Sequence, residues 1–286
     1  MNILRLPAIV LMSHILLAPL YAQPSGTGQT GWNGISVSGQ WFLAHQNEWS
    51  GTDYSNQFFL RRGYVTFSKK FNDAISVRFT QDITTDREGS DAGNIEMRLK
   101  YLYIKVSPGF QPIPWLSHTY LEFGMVHRPW LDFEEKINRY RLQGTMYGER
   151  SGLLNSADFG VTWVGLLGGK IDSSFQRDVN SAYPGKYGSV ALGVYNGGGY
   201  HALEMNNNKT VEARLSLRPF PGRIPGLQFS YSLASGKGNL PENPAWVMHL
   251  GAMTFSSARF RAVAQAVKGK GNSFGTYVDE AFRALP

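Results

Sequence analysis

The chain contains no cysteine. That excludes disulfides, thiolate metal centres and a cysteine nucleophile. Beyond its first residues it has no apolar run near the roughly 20 residues that a spanning helix needs. There is no His-Glu-x-x-His and no phosphate-cradling glycine loop, and the six histidines show no ligand spacing. His127 and His249 read as strand-end or inner-face residues rather than metal ligands. No catalytic residue, cofactor, metal or nucleic-acid partner is therefore expected. Disorder is not expected either, because aromatic residues reach 13% and charged residues only 17%.

The first residues carry an export signal. Arg5 is the only charge before Leu6 to Leu20, which is apolar apart from Ser13, His14 and two prolines. Leu20-Tyr21-Ala22 ends that core on a small residue, the layout of a secretory signal peptide over residues 1–22. The apolar stretch, about 15 residues, is short for a transmembrane anchor. The net charge is +7, of which the leader holds one positive charge and no acid. That excess favours anionic partners, though only weakly.

From residue 34 onward, segments alternate apolar with polar at period two, the geometry of strands. Eleven candidates run over 35–44, 58–71, 74–82, 96–106, 119–127, 159–167, 189–195, 210–218, 227–233, 245–255 and 259–267. In 210–218, Val211, Ala213, Leu215 and Leu217 share one face; Glu212, Arg214, Ser216 and Arg218 share the other. Short connections (72–73, 221–226) alternate with long polar ones (45–57, 83–95, 171–187, 196–209, 234–244). Short turns at one end, long loops at the other and one apolar face per strand predict an antiparallel transmembrane β-barrel over residues 23–286. A soluble sandwich would need a second sheet to cover that apolar face. Tyr101, Tyr103, Trp163 and Trp246 fit an aromatic girdle, with core packing as the alternative.

The polar faces carry Arg62, Arg78, Arg98, Lys100, Arg214, Arg218, Arg259 and Arg261. Two readings stand side by side: these residues line a lumen and attract anions, or they pair with Asp82, Glu96, Glu122 and Glu212 and brace the wall. Arg61 falls on the opposite face, where it would snorkel to the membrane rim. Residues 128–158 break the alternation and mix Arg128, Lys136, Arg139, Arg141 and Arg150 with Asp132, Glu134, Glu135 and Glu149. Leu131, Glu135 and Arg139 sit at helical spacing, which predicts a short helix there. Folded inward, the segment would constrict a pore through Arg128, Arg139, Arg141 and Arg150; otherwise it is a solvated loop.

Several stretches resemble a known family. They are Phe59-Leu60-Arg61-Arg62-Gly63-Tyr64-Val65 with Phe67 and Lys70, Ile75 to Asp82, and Arg98 to Ile104. Gly124-Met125-Val126-His127-Arg128-Pro129-Trp130, followed by Glu134, Glu135 and Glu149-Arg150, continues the likeness. Over roughly 57–165 the chain resembles the phosphate-selective porin O and P family. The resemblance implies an outer-membrane porin, a water-filled barrel commonly assembled as a homotrimer, whose basic lumen passes small anions such as phosphate. This chain has fewer strands and fewer strand lysines than that family. Single-chain bacterial barrels close with an even strand number, and the residues from Asp279 to Pro286 hold no evident closing strand. The expectation is a chain lacking several C-terminal strands. The rival functions are a structural or adhesive outer-membrane barrel with a plugged lumen, and a soluble exported glycan-binding sandwich.

Overall fold

The computed structural model describes residues 34–50, 53–87, 89–109, 113–138, 141, 144–277 and the backbone of 281–284. The expected signal peptide of residues 1–22 and Arg139 lie outside these. Twelve strands follow one another: β1 (Ile35–Ser50), β2 (Asp53–Lys70), β3 (Ile75–Thr85), β4 (Ile95–Val106), β5 (Leu116–His127) and β6 (Ala157–Leu167). Then come β7 (Gly188–Tyr195), β8 (Thr210–Leu217), β9 (Gln228–Lys237), β10 (Ala245–Ser256), β11 (Arg261–Lys270) and β12 (Ala281–Ala284). They form one antiparallel 12-stranded sheet in strict sequence order. Among the described residues β1 pairs only with β2 and β12 only with β11, so the sheet is not closed. All eleven expected strands are present. The twelfth, four residues long, falls where no closing strand was expected.

The alternation turns the protein inside out. On β8, Glu212 and Arg214 are 0% and 1% exposed, whereas Val211 and Leu215 are 53% and 43% exposed. The same holds on β7 (Leu192, Val194) and β9 (Phe229, Tyr231, Leu233), whose large apolar side chains stay outside while Ser189, Ser230 and Ser232 are buried. In water such a belt would far exceed the apolar patches that soluble monomers expose.

The sheet curls around its polar face. Arg62 of β2 donates to the Gly144 carbonyl at 3.0 Å, and Gly144 lines one cavity with Arg261, Val263 and Gln265 of β11. In a flat sheet nine strand spacings, about 43 Å, would separate β2 from β11. One glycine reaches both only because the polar face is concave.

The ends differ from the expected asymmetry in two places. Residues 45–57 are not a long loop: β1 and β2 run on as a paired ribbon to Ser50↔Asp53, because residues 43–60 still alternate in pairing register. Residues 171–187 are a long connection, but between β6 and β7, at the end that holds the short turns. Residues 171–187 also contain a helix, α3 (Ser173–Asp178), capped by Asp172, whose Oδ1 accepts from the Ser174 amide at 2.8 Å.

Two bulges shift the faces of β2 and β4. Thr80 pairs with Tyr101 and Gln81 with Leu99, leaving Lys100 as the extra residue. An extra residue reverses the period-two phase. Arg98 and Lys100 therefore share the inner face with Tyr101 and Tyr103, both buried, while Leu102 and Ile104 point outward. The girdle assignment is corrected for Tyr101 and Tyr103, and for Trp246, which is buried in an inner apolar cluster. Trp163 pairs with Leu121 and Leu192 on the outer face. Arg61 is the extra residue opposite Phe42/Leu43; it is half-buried, its guanidinium 5.4 Å from the Phe59 ring centroid.

Candidate functional site

The concave face is largely filled by the described residues of 128–155. Arg128 precedes helix α1 (Pro129–Ile137), which starts on a proline whose missing N–H costs nothing at that position. A second turn, α2 (Tyr147–Arg150), follows. Trp130, Leu131, Met146, Leu153 and Leu154 form an apolar cluster with Ala234, Trp246, Met248, Leu250 and Val267 on the inner face of β9–β11. Burying each large side chain contributes roughly 1.5–3 kcal/mol. The segment folds inward because its apolar residues meet a stretch of wall that is apolar inside.

Polar ties fix it. Arg128 Nε donates to Glu212 Oε2 at 3.1 Å, and the Trp130 amide donates to Glu212 Oε1 at 2.7 Å. Arg214 Nε donates to the Pro129 carbonyl at 3.1 Å, and its Nη1 donates to Ser189 and Ser216. The Arg214 guanidinium lies 4.5 Å from the ring centroids of both Phe133 and Tyr183. Arg62 donates to the carbonyls of Arg141 and Gly144, and Arg141 pairs with Glu135 at 2.8 Å.

A second segment enters from the opposite end. Tyr183 donates to Asp132, and Asn180 to the Lys136 carbonyl at 3.2 Å. Burial works against ionisation of Asp132, but His127, Lys136, the Tyr183 hydroxyl and Arg78 together hold its carboxyl well below the usual range. Burial instead raises Glu134, against hydrogen bonds from Gln265, Trp130 and the Tyr147 backbone. Residues 196–209 close over a third region, where Tyr200 approaches Asp82 and the Lys100 ammonium.

What is left along β2–β5 is basic and aromatic. Lys100 Nζ lies 4.9, 5.8 and 5.6 Å from the ring centroids of Tyr64, Tyr101 and Tyr200. Arg78 stands 5.0 Å from the Tyr101 ring and donates to Thr80 at 2.9 Å. His127 Nδ1 is 2.9 Å from Glu122, and its Nε2 is 3.4 Å from Arg78 and 3.7 Å from Asp132. Arg98 bonds Asp82 at 3.0 Å.

Of the expected inner-face residues, Arg62, Arg78, Arg98, Lys100 and Arg214 share the concave face. Arg62 and Arg214 spend donors on the inward segment, and Arg98 on a wall acid, so these three brace. Arg218 is buried beyond the end of β8, bonded to the Pro225 carbonyl and 5.0 Å from the Phe175 ring. Arg261 donates to the Val179 carbonyl at 2.6 Å. Arg259 is corrected: it is exposed in the β10–β11 turn, where Ser257 accepts from the Phe260 amide at 3.0 Å and delays the strand to Arg261. Of the constriction residues, Arg128 is buried in its ion pair, Arg141 is half-buried and Arg150 is exposed beside a cavity of about 320 Å³.

Sequence reasoning missed Lys105 and the inner tyrosines. Their signal is the phase change at Lys100, after which Tyr101, Tyr103 and Lys105 fall on one face. Gly271-Asn272-Ser273-Phe274-Gly275 does carry Gly-x-Ser-x-Gly spacing. It follows a strand without entering a helix, and the buried Ser273 hydroxyl donates to the Leu153 carbonyl at 3.2 Å. A nucleophile elbow needs the opposite, an exposed serine between strand and helix. Among the described residues no group of three or more His, Asp or Glu side chains is placed to hold a metal ion. Compared with known proteins, the chain matches no protein-family model and no curated relative.

Proposed function

We propose that the chain is an outer-membrane β-barrel protein that passes small anionic solutes along the basic inner face of β2–β5, with residues 128–155 narrowing the passage. The inverted burial carries this reading. A belt of exposed Val, Leu, Phe and Tyr around buried Glu, Arg and Ser suits lipid outside and polar groups inside. Closure of the curled sheet into a barrel belongs to the same proposal, as does the resemblance to phosphate-selective porins. A second reading, a plugged barrel without conductance, is favoured by the buried Arg128–Glu212 pair and the apolar cluster behind it. Single-channel recording separates them. Purified protein that migrates heat-modifiably on a gel should give discrete conductance steps in planar bilayers; the same folded protein without steps supports the plug.

A further inference from the structure

The inner face opens at the end of the short turns. A cavity of about 360 Å³ lies there, lined among others by Lys70, Asn72, Ser76, Arg78, Tyr103 and Lys105. Ser76 pairs with Lys105 and Arg78 with Tyr103. Arg78 and Lys105 are thus diagonal neighbours on one face, about 7–8 Å apart at the backbone. A single anionic group can bridge them.

Neither cation has a carboxylate in contact. Among the described residues no carboxylate forms an ion pair with Arg78 or Lys105; Lys105 Nζ sits 3.4 Å from the Tyr120 ring centroid. The acids nearby stand farther off: Glu122, opposite Lys105 in the ladder, bonds His127 at 2.9 Å, and Asp132, whose charge reaches both cations, is bonded by Tyr183 and pairs with Lys136. Asp73, the acid in the lining, is bonded to Lys70 at 2.6 Å. Half-buried cations without a contact ion pair, opening on a cavity, can take an added anion.

The volume and the rest of the lining narrow the class. The cavity is far larger than one oxyanion and lies within the range of small-molecule sites, about 300–1,000 Å³. Around the cations stand the hydroxyls of Ser68, Ser76 and Ser107 and the amide of Asn72. We infer that this cavity binds a polyhydroxylated organic anion, a sugar carrying a carboxylate or phosphate group. Arg78 and Lys105 hold the anionic group, and the serine hydroxyls and Asn72 hold the sugar hydroxyls. The inference rests on reading the inner face as a solute path, but the binding stands apart from conduction.

The test is calorimetric titration of full-length protein in detergent with gluconate, glucose 6-phosphate, glucose and inorganic phosphate. Gluconate and glucose 6-phosphate should bind at least 10-fold more tightly than glucose or phosphate. Lys105→Gln should weaken both by at least 10-fold, and Lys237→Gln, exposed at the far end of β9, should not. Ser76→Ala, a milder change, should weaken gluconate several-fold and leave phosphate alone. Phosphate binding as tightly as gluconate means a bare-anion site and overturns the inference, as does equal binding of glucose or no effect of Lys105→Gln. Binding without channel conductance would remove the passage and keep the site; conductance without binding would do the reverse.

Discussion

Replacing Glu212 with Gln should release the inward segment from the wall. Arg128 and Glu212 are both 0% exposed, and two Arg128 nitrogens already lack partners among the described residues. Removing the carboxylate charge leaves the buried guanidinium without its ion-pair partner and with only Asp158 nearby, at a cost of up to about 3–5 kcal/mol. The Trp130 amide keeps its acceptor, because glutamine retains the Oε1 position. The expected result is faster protease cleavage between residues 138 and 146 and a larger single-channel conductance. Combining Glu212→Gln with Arg128→Met should restore most of the protection, since neither charge is then buried alone. Unchanged cleavage and conductance in Glu212→Gln would mean that the pair does not hold the segment.

The second large effect belongs to the outer face. Leu215→Arg sets a charge in the centre of the exposed apolar belt of β8. Near the bilayer midplane such a substitution costs about 2–4 kcal/mol. Ser38→Arg adds the same charge to the polar face of β1, where Ser38 is exposed and pairs with Thr66. After refolding into lipid vesicles, the folded fraction on a heat-modifiable gel should fall sharply for Leu215→Arg and stay near wild type for Ser38→Arg. Equal tolerance would refute the assignment of faces.

These faces were legible because period two is enforced residue by residue where one side is exposed and apolar and the other buried and polar. Val211 through Arg218 needed only alternation to be placed correctly. The phase of β4 was not legible, because a bulge at Lys100 leaves no compositional trace; only the ladder between Thr80 and Tyr101 reveals it. The helix at 129–137 showed in the spacing of Leu131 and Glu135. Its destination did not, since the apolar inner wall that receives it comes from β9–β11, far away in sequence. The inward course of 171–187 was hidden for a related reason: Asn180 and Tyr183 are polar residues of the kind that solvated loops also use, and only their bonds to Lys136 and Asp132 distinguish them. Bracing and anion attraction, both open from the sequence, divide by residue. Arg62, Arg98 and Arg214 are tied to neighbours, while Arg78 and Lys105 face a cavity.

Reversal potential across a salt gradient in a planar bilayer tests the proposed conduit most directly. Arg78 and Lys105, which form no contact ion pair, should make the wild-type channel anion-selective, with a preference that declines as salt screens them over roughly 8 Å at physiological strength. Arg78→Glu should shift the reversal potential toward cations. A cation-selective wild type, or folded protein that passes no current at all, would contradict a conduit for small anions.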